Sequence, residues 1–134
     1  MEKPFILGVN YWPRKKAMYW WSDFDVGEMQ EEFSIIRNLG MTTVRIFLLW
    51  DDFQPAPDKI SVSSLKNLIS VCDIAESYNL KLNVTFFTGH MSGPNWAPRW
   101  MLHGERPKYV HQVVSGGKIV DRGYMNPYSD KMVL

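Results

Sequence analysis

Apolar residues come along this chain in short runs separated by amphipathic stretches. FILGVN, residues 5–10, is an apolar run that ends in polar and aromatic residues, as a buried strand does before its loop. In DVGEMQEEFSIIRNLG, Met29, Phe33, Ile36 and Leu39 recur at helical spacing, Asp25 and Glu28 form a capping-box pattern, and Gly40 supplies the stop. A second run, 41–47, is rich in β-branched residues and predicts a strand. After DDFQPAPDKI a second helix is predicted from about Ser63 to Tyr78, with Leu65, Leu68, Ile69, Cys72 and Ala75 on one face. KLNVTFF, 81–87, is a third strand pattern. Beyond it TGHMSGPNWAPRWMLHGERP predicts a loop, and a hairpin is predicted near 109–122, turning at Ser115-Gly116-Gly117. Cap residues and an apolar start predict a third helix from about 127.

Strand, helix, strand, helix, strand calls for parallel strands with helices outside them, because a parallel crossover needs a connection of helix length. The strand starts recur about 38 residues apart, against roughly 31 per unit for eight units in about 250 residues; longer loops account for the difference.

Composition narrows the function. With 134 residues, 46% hydrophobic and 22% charged, the chain suits one globular domain or part of one. A net charge of +1, with no basic run longer than Arg14-Lys15-Lys16, argues against nucleic acid and anionic membranes as partners. The single cysteine, Cys72, rules out an internal disulfide, and its leucine and isoleucine neighbours predict a small core hydrophobe. MEKPFILGVN is too short an apolar run for a signal peptide, and no segment approaches the roughly 20 apolar residues of a membrane span, so a soluble cytoplasmic protein is expected.

Six tryptophans, at 12, 20, 21, 50, 96 and 100, all fall between a predicted strand and the next helix or in the loop after strand three, none on a predicted helix face. In a parallel α/β barrel such loops gather at the C-terminal end of the strands, where sites are built. Flat aromatic faces suit the C–H faces of sugar rings; the other reading is that these rings pack on one another as a lid over long loops. A nucleotide site is excluded because NYWPRKKAMYWW, after strand one, has no glycine for a pyrophosphate turn. His90, His103 and His111 show neither H-x-H nor H-E-x-x-H spacing, so no metal and no cofactor is expected. His90 closely follows strand three, whereas His103 and His111 are expected in a solvated loop. Arg45, inside TTVRIFLLW, has two readings: a structural ion pair at a strand end, or a site residue facing a carboxylate.

GVNYWP, the helix ending RNLG, VRIFLLWDDFQP, the helix ending AESYNLKLNV and FFTGHMSGPNWAPRW together resemble the opening third of a retaining glycoside hydrolase of clan A, the group that includes family 5 cellulases and β-mannanases. The resemblance covers nearly the whole chain, and its last segment is similar to the endo-β-mannanase-like branch. It implies an α/β fold consisting of the N-terminal three βα units of a (β/α)8 TIM barrel, incomplete in this chain, with residues 1–134 as a partial barrel domain. It implies a β-mannan or β-glucan substrate, with Arg45 hydrogen-bonding a nucleophilic glutamate and His90 contacting sugar or glutamate. Asn10, Trp12, Trp50 and Trp96 would line sugar subsites, with Asp51 a substrate-side contact.

Retaining hydrolysis needs two carboxylates about 5 to 5.5 Å apart. In this clan they follow strands four and seven, positions the chain does not reach, so the chain alone is expected to be inactive and to supply subsites and Arg45. Asp51 and Asp52, with Glu105 and Asp121, could offer an improvised pair, but nothing in the sequence sets their separation, and a solvated loop edge is expected. The alternative is a non-catalytic fragment that binds a β-linked oligo- or polysaccharide, or that completes a barrel with the missing remainder. Three strands with open edges make a poor solitary domain, which favours a piece of a longer protein.

Overall fold

The computed structural model describes residues 5–89, 95–103, 113–120 and 124–125. The chain divides into two compact units, Met1–Phe47 with Ser63–Thr85, and Leu48–Val62 with Phe86–Leu134.

The first unit is built on strands β1 (Gly8–Asn10), β2 (Thr43–Leu49) and β3 (Lys81–Thr88), which form a sheet in the order β1-β2-β3. β1 lies parallel to β2, with Val9 beside Val44 and Asn10 beside Arg45. Along β2 the alternation of a strand separates Val44, Ile46 and Leu48, all fully buried, from Arg45, which is exposed. Helix α1 (Val26–Asn38) starts where the Asp25 carboxylate accepts the Glu28 N–H at 3.0 Å. It ends where Gly40, at φ 86°, lets the Met41 N–H reach the Ile36 carbonyl at 3.3 Å. Met29 and Phe33 carry its buried face, and Phe33 meets the Tyr11 ring edge-on at 5.0 Å.

The next two helices in the chain are α2 (Trp50–Phe53), a single turn in the second unit, and α3 (Val62–Ser77). The buried face of α3 departs from expectation. Val71, Ile74 and Ala75 are buried, whereas Leu65, Ile69 and Cys72 are exposed and Leu68 is half-buried. Cys72 is therefore not a core residue. Apolar residues surround this helix on nearly every side, so its periodicity supports two stripes, and packing selects the one through 71, 74 and 75. Leu39 at the end of α1 is likewise exposed. An open cavity of about 220 Å³, lined by Phe5, Ile6, Arg37, Thr43 and Lys81 among others, lies at the N-terminal ends of the strands, opposite to the end at which barrel sites are built.

The second unit consists of α2 and short strands: β4 (Asn95–Trp96), β5 (Leu102–His103), β6 (Val113–Ser115), β7 (Lys118–Val120) and β8 (Tyr124–Met125). β6 runs parallel to β4 and antiparallel to β7, and β5 pairs antiparallel with β8. The β6–β7 hairpin turns on Gly116 and Gly117, at φ 56° and 71°, the mirror-image turn that glycine pairs permit and that matches strand twist. The helix expected near 127 lies outside the described residues. Among the described residues no helix is long and apolar enough to cross a membrane.

Candidate functional site

In the first unit, β1 leads into Tyr11 and Trp12 while β2 presents Arg45 and Phe47. Tyr11 turns into the core and Trp12 stays 39% exposed, its ring 5.9 Å from that of Phe47. The Arg45 guanidinium lies 4.9 Å above the Phe47 ring, and its Nε–H donates to Thr85 Oγ1 at 2.7 Å. No carboxylate pairs with Arg45 among the described residues. The structural ion pair is thus not what this region shows. Instead an exposed cation is held by a hydroxyl and an aromatic face, and among the described residues its other guanidinium donors have no hydrogen-bond acceptor. Asn10, beside Arg45 in the sheet, is exposed as well.

Trp20 and Trp21 take the other reading of the aromatic set. Both are buried, their rings 3.9 Å apart, and Trp21 also stacks on Phe24 at 6.2 Å. The Trp21 indole N–H donates to the Phe47 carbonyl at 2.7 Å. These two rings are core, packed with Tyr11 and the apolar face of α1. A signal was available in α1, whose Met29 and Phe33 require apolar partners.

In the second unit Trp50, which opens α2, stacks on Phe87 at 5.1 Å and meets Trp100 edge-on at 6.2 Å. Trp100 itself lies in a 3-10 turn, Arg99–Met101, so the expectation that no tryptophan would sit on a helix is corrected at both positions. Gln54 ties the group together: its side-chain carbonyl accepts the Trp50 indole N–H at 2.8 Å, its backbone carbonyl accepts that of Trp100 at 3.1 Å, and its amide donates to the Pro57 carbonyl at 2.9 Å. Gln54 was not singled out from the sequence, although the i, i+4 spacing from Trp50 was a local signal for its side chain; the Trp100 contact to its backbone carbonyl, 46 residues away, had no such signal. Trp96, expected to line a subsite, is 8% exposed and anchored in the small sheet through its pairing with Val114.

Asp51 and Asp52 are half-buried rather than a solvated loop edge. Asp51 Oδ2 accepts the Gly116 N–H at 2.8 Å, and its Oδ1 accepts the Ser115 hydroxyl at 3.4 Å. Burial pushes the Asp51 carboxyl up, with these two donors opposing it. Asp52 is pushed up to about 6, first by burial and then by the neighbouring Asp51 charge. His103 lies on β5; His90, His111, Glu105 and Asp121 lie outside the described residues. Among the described residues no three His, Cys, Asp or Glu side chains gather as a metal site.

No family model and no curated protein matches the sequence. Solved structures do. A GH5_18 variant from Streptomyces cattleya in complex with Manb1-4GlcNAc is 32% identical, with TM-score 0.70, over 72% of this chain and 23% of that one. A GH5_18 variant from Bifidobacterium longum subsp. longum ATCC 55813, in complex with the same disaccharide, is 30% identical with TM-score 0.71, over 75% and 24%. The exo-beta-1,4-mannosidase Op5Man5 from Opitutaceae bacterium strain TAV5 is 30% identical with TM-score 0.69, over 71% and 17%. At 30–32% identity over 71–75% of this chain, and with parallel strands crossed by helices, the match places the chain with the glycoside hydrolases that these structures represent. More narrowly, the chain belongs to glycoside hydrolase family 5 of clan A, of which it carries an N-terminal portion. It spans about a quarter or less of the length of these relatives, 23%, 24% and 17%.

Proposed function

We propose that this chain is the N-terminal part of a retaining β-glycoside hydrolase acting on a β-linked mannosyl substrate, and that it contributes sugar-binding surface and the arginine that orients the nucleophile. The observation that carries this reading is Arg45: an exposed guanidinium on β2, beside the last residue of β1, fixed by Thr85 and Phe47 and without a carboxylate among the described residues. Such a group keeps an approaching carboxylate ionised and aimed through charge-assisted hydrogen bonds. The exposed Trp12 ring in the same unit offers a platform for a sugar face. The Manb1-4GlcNAc complexes of the relatives support a β-mannoside over a β-glucoside.

The two catalytic carboxylates of a retaining mechanism would come from the remainder of a longer protein. Asp51 is a poor substitute, because both its oxygens already accept hydrogen bonds from Ser115 and Gly116. The test is Arg45→Ala in a longer protein containing this chain, assayed on a β-mannoside. Loss of an oriented electrostatic contact is expected to lower kcat by about 100-fold or more, and near-normal turnover would sink the assignment. A second reading, a fragment that binds sugar without cleaving it, draws on the exposed Trp12; it predicts a tryptophan fluorescence change when this chain alone is titrated with Manb1-4GlcNAc.

A further inference from the structure

We propose that Asp51 is a positioning residue that clasps the turn of the β6–β7 hairpin to α2 and thereby sets the strand carrying Trp96. The proposal rests on the sugar-binding reading only for its functional consequence. In a two-residue hairpin the ladder closes between Ser115 and Lys118, which leaves the Gly116 N–H pointing out of the turn without a strand partner. Asp51 Oδ2 accepts that N–H at 2.8 Å. The other oxygen accepts the hydroxyl of Ser115, a residue only 6% exposed. One carboxylate therefore satisfies the tip of an element more than sixty residues away in sequence.

The hold is passed on through the small sheet. β6 continues from the clasped turn into its pairing with β4, where Asn95 lies beside Val113 and Trp96 beside Val114, and the Ala97 N–H donates to the Val114 carbonyl at 3.1 Å. Meanwhile α2, which bears Asp51, also bears Trp50, stacked on Phe87 and edge-on to Trp100. Asp51 thus couples the Trp50, Phe87 and Trp100 group to the strand that carries Trp96 within this unit. Its task in this unit is to hold the chain's own loop.

The test is amide hydrogen exchange of the whole chain, followed at Gly116 and Ala97. Asp51→Ala is expected to speed exchange at Gly116 about tenfold or more, as loss of a charge-assisted hydrogen bond implies, and to speed it at Ala97 in the same direction. Asp51→Asn keeps an acceptor oxygen and is expected to restore much of the protection at both sites. Should Asp51→Ala fail to fold, Ser115→Ala, which removes one of the two donors, is expected to give a smaller change of the same sign. Unchanged exchange at Gly116 overturns the clasp, and a change at Gly116 with none at Ala97 overturns its positioning role. Titration with Manb1-4GlcNAc then reads the consequence, expected to be weaker in Asp51→Ala than in Asp51→Asn. If the unsubstituted chain shows no response to the disaccharide, the sugar-binding reading fails while the exchange result still decides the clasp.

Discussion

Arg45 and Trp21 show how much a single residue's surroundings decide. Each has a large side chain that donates through N–H, each lies in or near the same strand pair, and only Trp21 is buried. Replacing Trp21 by Phe removes the 2.7 Å bond to the Phe47 carbonyl and leaves a buried acceptor unpaired, so a loss of about 1–3 kcal/mol is expected in denaturant unfolding. Arg45→Ala removes one hydrogen bond and one contact with an aromatic face at an exposed site, so a stability change of about 1 kcal/mol or less is expected from the same measurement. A large effect on turnover in a longer protein beside a small effect on folding is the signature of a functional arginine. The charge inside an apolar run was legible in the sequence. Its partner was not, because Thr85 lies 40 residues away and meets Arg45 only through the tertiary fold.

At the scale of elements, helical periodicity located α1 and α3 while leaving the orientation of α3 open. Phe33, fully buried on α1, is expected to cost about 3–5 kcal/mol when replaced by Ala. Ile69→Gln, on the exposed face of α3, is expected to change stability by no more than about 0.5 kcal/mol; the reverse order in thermal unfolding would overturn the observed orientation. In α2 the acidic pair gives a pH dependence of definite sign. Asp52 titrates near 6 in the folded protein and near 3.9 when unfolded, so between these values the folded state holds a proton that the unfolded state has released. Stability therefore falls as pH rises from about 4 to about 6 and stays lower above. Allowing for solvent screening of a partly exposed group, the loss is about 1–2 kcal/mol. Asp52→Asn is expected to reduce this slope to the share contributed by Asp51, whose carboxyl burial also raises, and urea midpoints at pH 4.5 and pH 7 would show the reduction.

The whole chain leaves large apolar side chains in solvent: Phe5 is 85% exposed, Phe86 65% and Leu39 68%. Since the chain matches only 17–24% of the length of its relatives, surface of this kind is what the remainder of a barrel would cover. A longer protein containing this chain is expected to bind less of a hydrophobic dye per mole than the chain alone; equal or greater binding would show that these residues stay uncovered.

The alternation of apolar runs determined the order of elements, because periods of two and near four are properties of the local backbone and need no partner to be read. The glycine pair at 116 and 117 marked its hairpin for the same reason, since positive φ is a local demand. Tertiary structure alone decided which tryptophans became core and which stayed at the surface, as burial depends on what another segment brings. It also decided that Asp51 holds Ser115 and Gly116, residues 64 and 65 positions further on, since no local pattern encodes a contact made only when two distant segments meet.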